Sequence, residues 1–302
     1  MPTPKILVAG TGAVGGYFGA KLDQAGANVS YLARSNAESL KKKGMQVLSK
    51  MGDHHFFPAQ IVTSANDYQG NPDFILITTK ASGRVDLQNW IGSVAACGCP
   101  IVLLQNGIFI EKAYAEVFPK NSILGGIVRI GASRKEPGVI EHHHRGELVL
   151  GAFTGGKSAA AITLSEIFES GGVHCEISTH LELERWNKLV WNASFNPLSV
   201  ILGGIKTDEL IAKHTDKLIA IMNEILLAAK KFGCSVPDDL PQKNIELTKT
   251  WAPYETSMLQ DFKAGRPLEI EPILGNLLVA AKAVGLNLPI VESCYQEILK
   301  IN

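Results

Sequence analysis

The sequence has no excess of charge of either sign: 29 Lys+Arg stand against 29 Asp+Glu in 302 residues. That balance argues against a general binder of nucleic acid or other polyanions. No apolar run reaches the roughly 18 residues needed to span a bilayer, and there is no internal repeat or low-complexity tract. The opening, Met1-Pro-Thr-Pro-Lys5, does not read as a secretory leader, because the apolar stretch after it breaks at Gly10 and Gly12. Cysteine is scarce and odd in number, with five residues scattered at 97, 99, 175, 234 and 294. Such scatter offers neither a disulfide framework nor zinc-ligand spacing, so free thiols in a reducing cytoplasm and no metal are expected. Charged residues make up only 19% against 46% hydrophobic, which excludes a disordered chain.

What the sequence does have is a series of short, non-alternating apolar runs at 5–9, 28–33, 74–79 and 100–105. Runs of this kind suit strands covered on both faces. The first is followed by a helical stretch over 13–25 closed by Gly26, and strands alternating with helices imply a parallel sheet with right-handed crossovers. Residues 123–133, 139–143 and 148–150 are strand-like, with Pro137-Gly138 and Arg145-Gly146 as turn signals. A helix over 158–170 stops at Gly171-Gly172. From about residue 180 the periodicity is helical, over 181–202, 208–232 and 268–284. The expected architecture is a Rossmann-like, doubly wound α/β sheet in residues 1–179, followed by an all-α domain in residues 180–302.

The strongest local signal is Gly10-Thr11-Gly12-Ala13-Val14-Gly15, placed after a strand and before a helix. Gly10 permits the tight turn, Gly12 lets a pyrophosphate approach the backbone, and Gly15 allows close packing of helix on strand. Exposed N–H groups at the helix start favour the anion. The end of the second strand discriminates between dinucleotides. It reads Asn28-Val-Ser-Tyr-Leu-Ala-Arg34, with no carboxylate to receive a ribose 2′-hydroxyl. Arg34 suits a 2′-phosphate instead, with Ser35 and Asn36 as helpers, and this predicts NADP(H) over NAD(H). Ligands of an open parallel sheet sit beyond the carboxyl ends of its strands, where Lys80 and Asn106-Gly107 fall.

In the second half, Lys188, Asn192 and Asn196 recur at every fourth position of an otherwise apolar helix, so they share one face. A buried lysine is costly without a partner or a polar cavity, which points this stripe at a polar ligand. Pro197 is expected to kink the helix or end its regular part. A further cluster, Ser257-Met-Leu-Gln-Asp261 and then Gly265-Arg266-Pro-Leu-Glu269-Ile270, places Glu269 in the first turn of a helix starting near 268.

Four motifs in this order resemble the ketopantoate reductase family over nearly the whole chain. They are Gly10-Thr-Gly-Ala-Val-Gly15, Gln105-Asn106-Gly107, Lys188-x-x-x-Asn192-x-x-x-Asn196-Pro197, and Ser257-Met-Leu-Gln-Asp261 with Gly265-Arg266-x-x-Glu269-Ile270. The resemblance implies an N-terminal Rossmann domain, a helical second domain, and NADPH-dependent reduction of 2-dehydropantoate to (R)-pantoate on the route to pantothenate and coenzyme A. By motif it implies that Lys188 is the general acid and that Glu269 holds the reacting centre or the ribose. It implies Asn192, Asn196 and Ser257 as substrate ligands, Asn106 as a contact to both cofactor and substrate, and Lys80 on the cofactor side. The chain departs from the family in having Ala81-Ser82 where an aromatic residue often follows the lysine, and in Thr207 standing nearest to where a substrate-contacting asparagine is expected. Alternatives are reduction of another small 2-keto acid, or a non-catalytic NADP-binding sensor. The partners expected are thus small molecules, with a homodimer left open.

Other features read as structure. Glu141-His142-His143-His144 lies on a strand, where neighbouring side chains point to opposite faces and rarely share one ion. His54-His55 reads as a hairpin edge, Lys41-Lys42-Lys43 as a solvated helix end, and Trp186 and Trp191 as core.

Overall fold

The computed structural model describes residues 2–81 and 86–301, so Ser82 lies outside it. The chain divides into two compact units. One is built from residues up to Leu181; the other runs from Glu182 onward and takes in Ala81 and Asn106–Ile110.

The first unit carries a sheet of ten strands among the described residues. They are β1 (Lys5–Ala9), β2 (Asn28–Leu32), β3 (Met45–Ser49), β4 (His54–Phe56), β5 (Ile61–Val62), β6 (Phe74–Ile77), β7 (Ile101–Leu103), β8 (Ile123–Glu136), β9 (Val139–Ala152) and β10 (Cys175–Ser178). Their order is β4-β3-β9-β8-β7-β6-β1-β2-β5, with β10 also paired to β9. From β5 through β2, β1, β6 and β7 to β8 every pairing is parallel, the Rossmann-like arrangement. The inner strands are apolar without alternation because both faces are covered: all of β6 and β7, and all of β1 after Lys5, are buried. The chain leaves β1 toward β2 on one side, and β6 lies on the other. The switch point where such sheets bind ligands therefore falls between β1 and β6.

The region after residue 123 corrects the sequence reading. Arg145-Gly146 is not a turn. It is a bulge inside one continuous strand of 14 residues, β9, which pairs antiparallel with an equally long β8. Ile130 faces Arg145 while Arg129 faces Glu147, so Gly146 is the extra residue. Arg145 and Gly146 both have positive φ, 60° and 127°. A Cβ on Gly146 would stand 2.1 Å from the Tyr17 hydroxyl oxygen, so the glycine answers to a distant tyrosine rather than to a local turn. Nearby, buried His142 bonds through Nδ1 to Ser49 Oγ at 2.8 Å and through Nε2 to the Arg145 carbonyl at 2.6 Å. A carbonyl only accepts, so Nε2 carries the proton and Nδ1 accepts from the serine. Burial holds the His142 pKa below its usual value. His54 bonds Asp23 at 2.8 Å from the edge strand β4. All five cysteines are free thiols, and burial pushes that of Cys175 up to about 12.

The second unit is helical. The Leu181–Ile201 helix runs through its centre: Trp186, Leu189, Val190, Ala193, Phe195 and Leu198 are all buried. Pro197 does not end it, and the helix continues to Ile201 because packing on every side offsets the lost backbone hydrogen bond. The expected helix over 268–284 is instead a π-turn, Glu271–Gly275, leading into an α-helix, Asn276–Ala283. Glu269 consequently lies just before the turn and not within a first helical turn. No helix among the described residues is long and apolar enough to cross a membrane.

Candidate active site

The glycine turn joins β1 to the Ala13–Gln24 helix, and its three glycines answer to different demands. Gly10 has φ +115°, and a Cβ there would lie 2.8 Å from Thr78 Oγ1 and 2.9 Å from the Thr79 nitrogen. A Cβ on Gly15 would stand 2.2 Å from the Gly10 carbonyl oxygen. Both positions are closed by the fold itself. Gly12 is different: its backbone is extended and a Cβ would meet nothing within 4 Å. Neither conformation nor packing requires glycine at that position, and the absence of a side chain leaves this backbone open to approach from outside the chain. Gly12 is also the N-cap, with no side chain to cap the first-turn N–H groups and no acidic residue in that turn. This is the form of an anion site. Thr11 is buried and donates to Asn36 Oδ1 at 2.6 Å, which ties the turn to the segment after β2. Asn36 is itself buried, and its Nδ2 has no partner. Beside it Arg34 is exposed. The residues present therefore suit a dinucleotide, with a pyrophosphate at the turn and an anionic substituent near Arg34 and Asn36. Lys80, half-buried, follows the end of β6 in the same unit.

The second unit assembles a different kind of site. Lys188 Nζ donates to Asn106 Oδ1 at 2.7 Å, and Asn106 Nδ2 donates to Glu269 Oε2 at 3.1 Å. The other carboxylate oxygen, Oε1, accepts from the Ala81 backbone N–H at 3.2 Å. An ammonium can only donate and a carboxylate can only accept, so the Asn106 amide has one permitted orientation. Three segments far apart in sequence are thus linked as cation, amide and anion. Glu269 is 8% exposed, and its bonds compensate that burial.

Asn192 and Asn196 lie on the Lys188 face of the central helix and are both buried. Asn196 Oδ1 has no partner, which leaves a buried acceptor in an apolar helix without a donor. Ser257 opens the Ser257–Lys263 helix and is exposed. Its helix is tied to the central one by a bond of 2.7 Å between Ser199 and Thr256 hydroxyls, both fully buried. Sequence reasoning missed that tie, since serine and threonine 57 positions apart carry no signal. It also missed the role of Asp261 and Arg266. They pair at 2.9 Å and close the loop that leads to Glu269. Thr207 is occupied by structure, because its hydroxyl accepts from the Tyr254 N–H and its N–H donates to the Tyr254 carbonyl.

Comparison with known proteins finds matches over both halves of the chain. A family model described as ketopantoate reductase PanE/ApbA matches residues 6–155, and one described as ketopantoate reductase PanE/ApbA C terminal matches residues 180–302. The chain is 36% identical to a 2-dehydropantoate 2-reductase of Nostoc sp., over 97% of this chain and 94% of that relative. The crystal structure of 2-dehydropantoate 2-reductase from Methylococcus capsulatus matches with a TM-score of 0.92 and 39% identity, covering 98% of this chain and 96% of that one. D-mandelate dehydrogenase, solved with NADH and anilino(oxo)acetate, matches with a TM-score of 0.88 at 22% identity, over 98% of each chain, a likeness of fold alone.

Proposed function

The chain belongs to the ketopantoate reductase family, a family of NAD(P)-dependent oxidoreductases, and on that premise we propose that it reduces 2-dehydropantoate to (R)-pantoate with NADPH. The observation that carries this reading is the bonded series from Lys188 through Asn106 to Glu269. Reduction of a ketone leaves negative charge on the carbonyl oxygen, and an ammonium within hydrogen-bond reach stabilises that charge and then protonates it. Lys188 fills this role. Asn106 and Glu269 fix the direction in which Lys188 presents its protons. The unpaired acceptor of Asn196, with Asn192 and Ser257, receives the hydroxyl and carboxylate ends of the substrate. On the first unit, the backbone from Gly10 to Gly15 holds the pyrophosphate. Arg34 and the free Nδ2 of Asn36 bind the 2′-phosphate, and Lys80 serves the cofactor side. The bound cofactor supplies the hydride.

The test is NADPH oxidation measured with 2-dehydropantoate and with a panel of other 2-keto acids. The expected result is the highest kcat/KM for 2-dehydropantoate. A second reading, the same chemistry on another small 2-keto acid, is favoured by Thr207, the residue nearest to the asparagine that the resemblance leads one to expect, whose hydroxyl is bonded to Tyr254. Preference for another acid would select it. An NADP-binding sensor would turn over none of the panel.

A further inference from the structure

We propose that the π-turn Glu271–Gly275 and the side chain of Asn276 form the device that positions Asn106, which makes Asn276 a positioning residue for the reaction proposed above. The inference rests on that reading and adds a residue to it.

The helix slips by one residue at this turn. In an α-helix the Asn276 N–H would bond the carbonyl four residues back, on Pro272. Here it bonds the Glu271 carbonyl, five residues back. The Pro272 carbonyl is released from that duty, and it accepts the backbone N–H of Ile108 at 3.0 Å. The carbonyl of the same Ile108 accepts from Asn276 Nδ2 at 2.9 Å. Ile108 is 1% exposed, so both of its backbone groups would be orphaned without these two partners. Asn276 thus acts twice: its backbone makes the slip and its side chain completes the docking.

Gly107 shows how close the docking is. Its φ is +111°, and a Cβ would lie 2.5 Å from the Pro272 oxygen and 2.6 Å from the Pro272 Cβ. Only glycine fits between Asn106 and Ile108. The Gln105-Asn106-Gly107 motif therefore combines a functional amide with the residue that lets it seat. On the other side of the contact, Glu269 stands two residues before the π-turn begins. Both ends of the Asn106–Glu269 hydrogen bond hang from one turn. The turn is anchored in its own right by the Tyr295 hydroxyl, which donates to Glu271 Oε1 at 2.7 Å.

The arrangement makes a distinctive prediction. If Asn276 acts through Asn106, its loss matters only while Asn106 is present. Asn276→Ala, a change a helix tolerates well, is expected to lower kcat by about tenfold to a hundredfold. The Kd for NADPH should change by less than kcat does, since the glycine turn and Arg34 are untouched and only the cofactor contact of Asn106 is disturbed. Asn276→Gln, which keeps an amide donor, should recover part of the loss. The double variant Asn106→Ala/Asn276→Ala should be no slower than Asn106→Ala alone. The measurement is kcat, KM and NADPH affinity for the four proteins and wild type, each checked by thermal melting. A folded Asn276→Ala with wild-type kcat, or losses that add in the double variant, would overturn the proposal. So would failure of both Asn276→Ala and Asn276→Gln to fold, because the residue would then be structural. Failure of the underlying reading looks different: wild type itself would reduce no 2-keto acid, or Lys188→Ala would turn over as fast as wild type.

Discussion

The two candidate sites are made of different materials. In the glycine turn of the sheet unit the proposed working groups are main-chain N–H groups, and the sequence contributes chiefly by keeping side chains away. In the helical unit the proposed working groups are the side chains of Lys188, Asn106 and Glu269, each held by another side chain or by the backbone. A site of the first kind is specified by spacing within six residues. A site of the second kind is specified by which distant segments the fold brings together, and it has an orientation because its amide has two unlike ends.

The largest expected effect tests the second kind. Lys188→Ala should lower kcat by about 10²–10⁴-fold while leaving the melting temperature near wild type. Near-normal turnover would remove the lysine from its role as proton donor. The next test separates two glycines of one turn. Gly15→Ala forces a Cβ to within 2.2 Å of backbone and should cost about 1–3 kcal/mol of stability, seen as a lower Tm. Gly12→Ala meets open space. It should melt like wild type yet bind NADPH about tenfold or more weakly. If the two variants behaved alike, the distinction between packing glycine and ligand glycine would be lost.

Arg34→Ala should weaken NADPH by about tenfold to a hundredfold, in keeping with one or two charge-assisted hydrogen bonds, and leave NADH nearly unchanged. Equal losses for both would contradict a 2′-phosphate role. The smallest effect concerns the sheet unit alone. Burial depresses the pKa of His142 in the folded chain. Its contribution to stability is therefore complete above the unfolded value of about 6.5 and is lost as pH falls below that toward the folded pKa. Wild-type Tm should drop more than that of His142→Gln between pH 7 and pH 5. Parallel curves would assign the acid sensitivity elsewhere.

Much of the fold was legible because parallel strands leave a plain trace: apolar residues without alternation, punctuated by glycine. The glycine turn was legible for the same reason, as a local spacing. The Lys188 stripe was legible as periodicity, but the hydrogen bonds from Lys188 to Asn106 and from Asn106 to Glu269 were not, since no local pattern joins segments so far apart. Arg145-Gly146 shows why reading glycine as a turn fails: the residue is fixed by Tyr17, which no local pattern reveals. The π-turn was invisible on similar grounds. A slip of one residue in a helix leaves the apolar pattern almost unchanged while altering which carbonyl is offered outward.

The long strand β9 also sets a schedule for how the sheet is completed. One edge of it pairs with β8. The opposite edge is shared, with β3 taking Val139–His142 and β10 taking Leu148–Gly151, on either side of the bulge. A nascent chain that has emerged only as far as residue 170 can fill the first half of that edge but not the second. Until Cys175–Ser178 is synthesised and docked, a row of unsatisfied backbone groups stays open to any passing strand. The sheet unit closes with its last strand, so until residues 175–178 have been made, half of this edge has no partner.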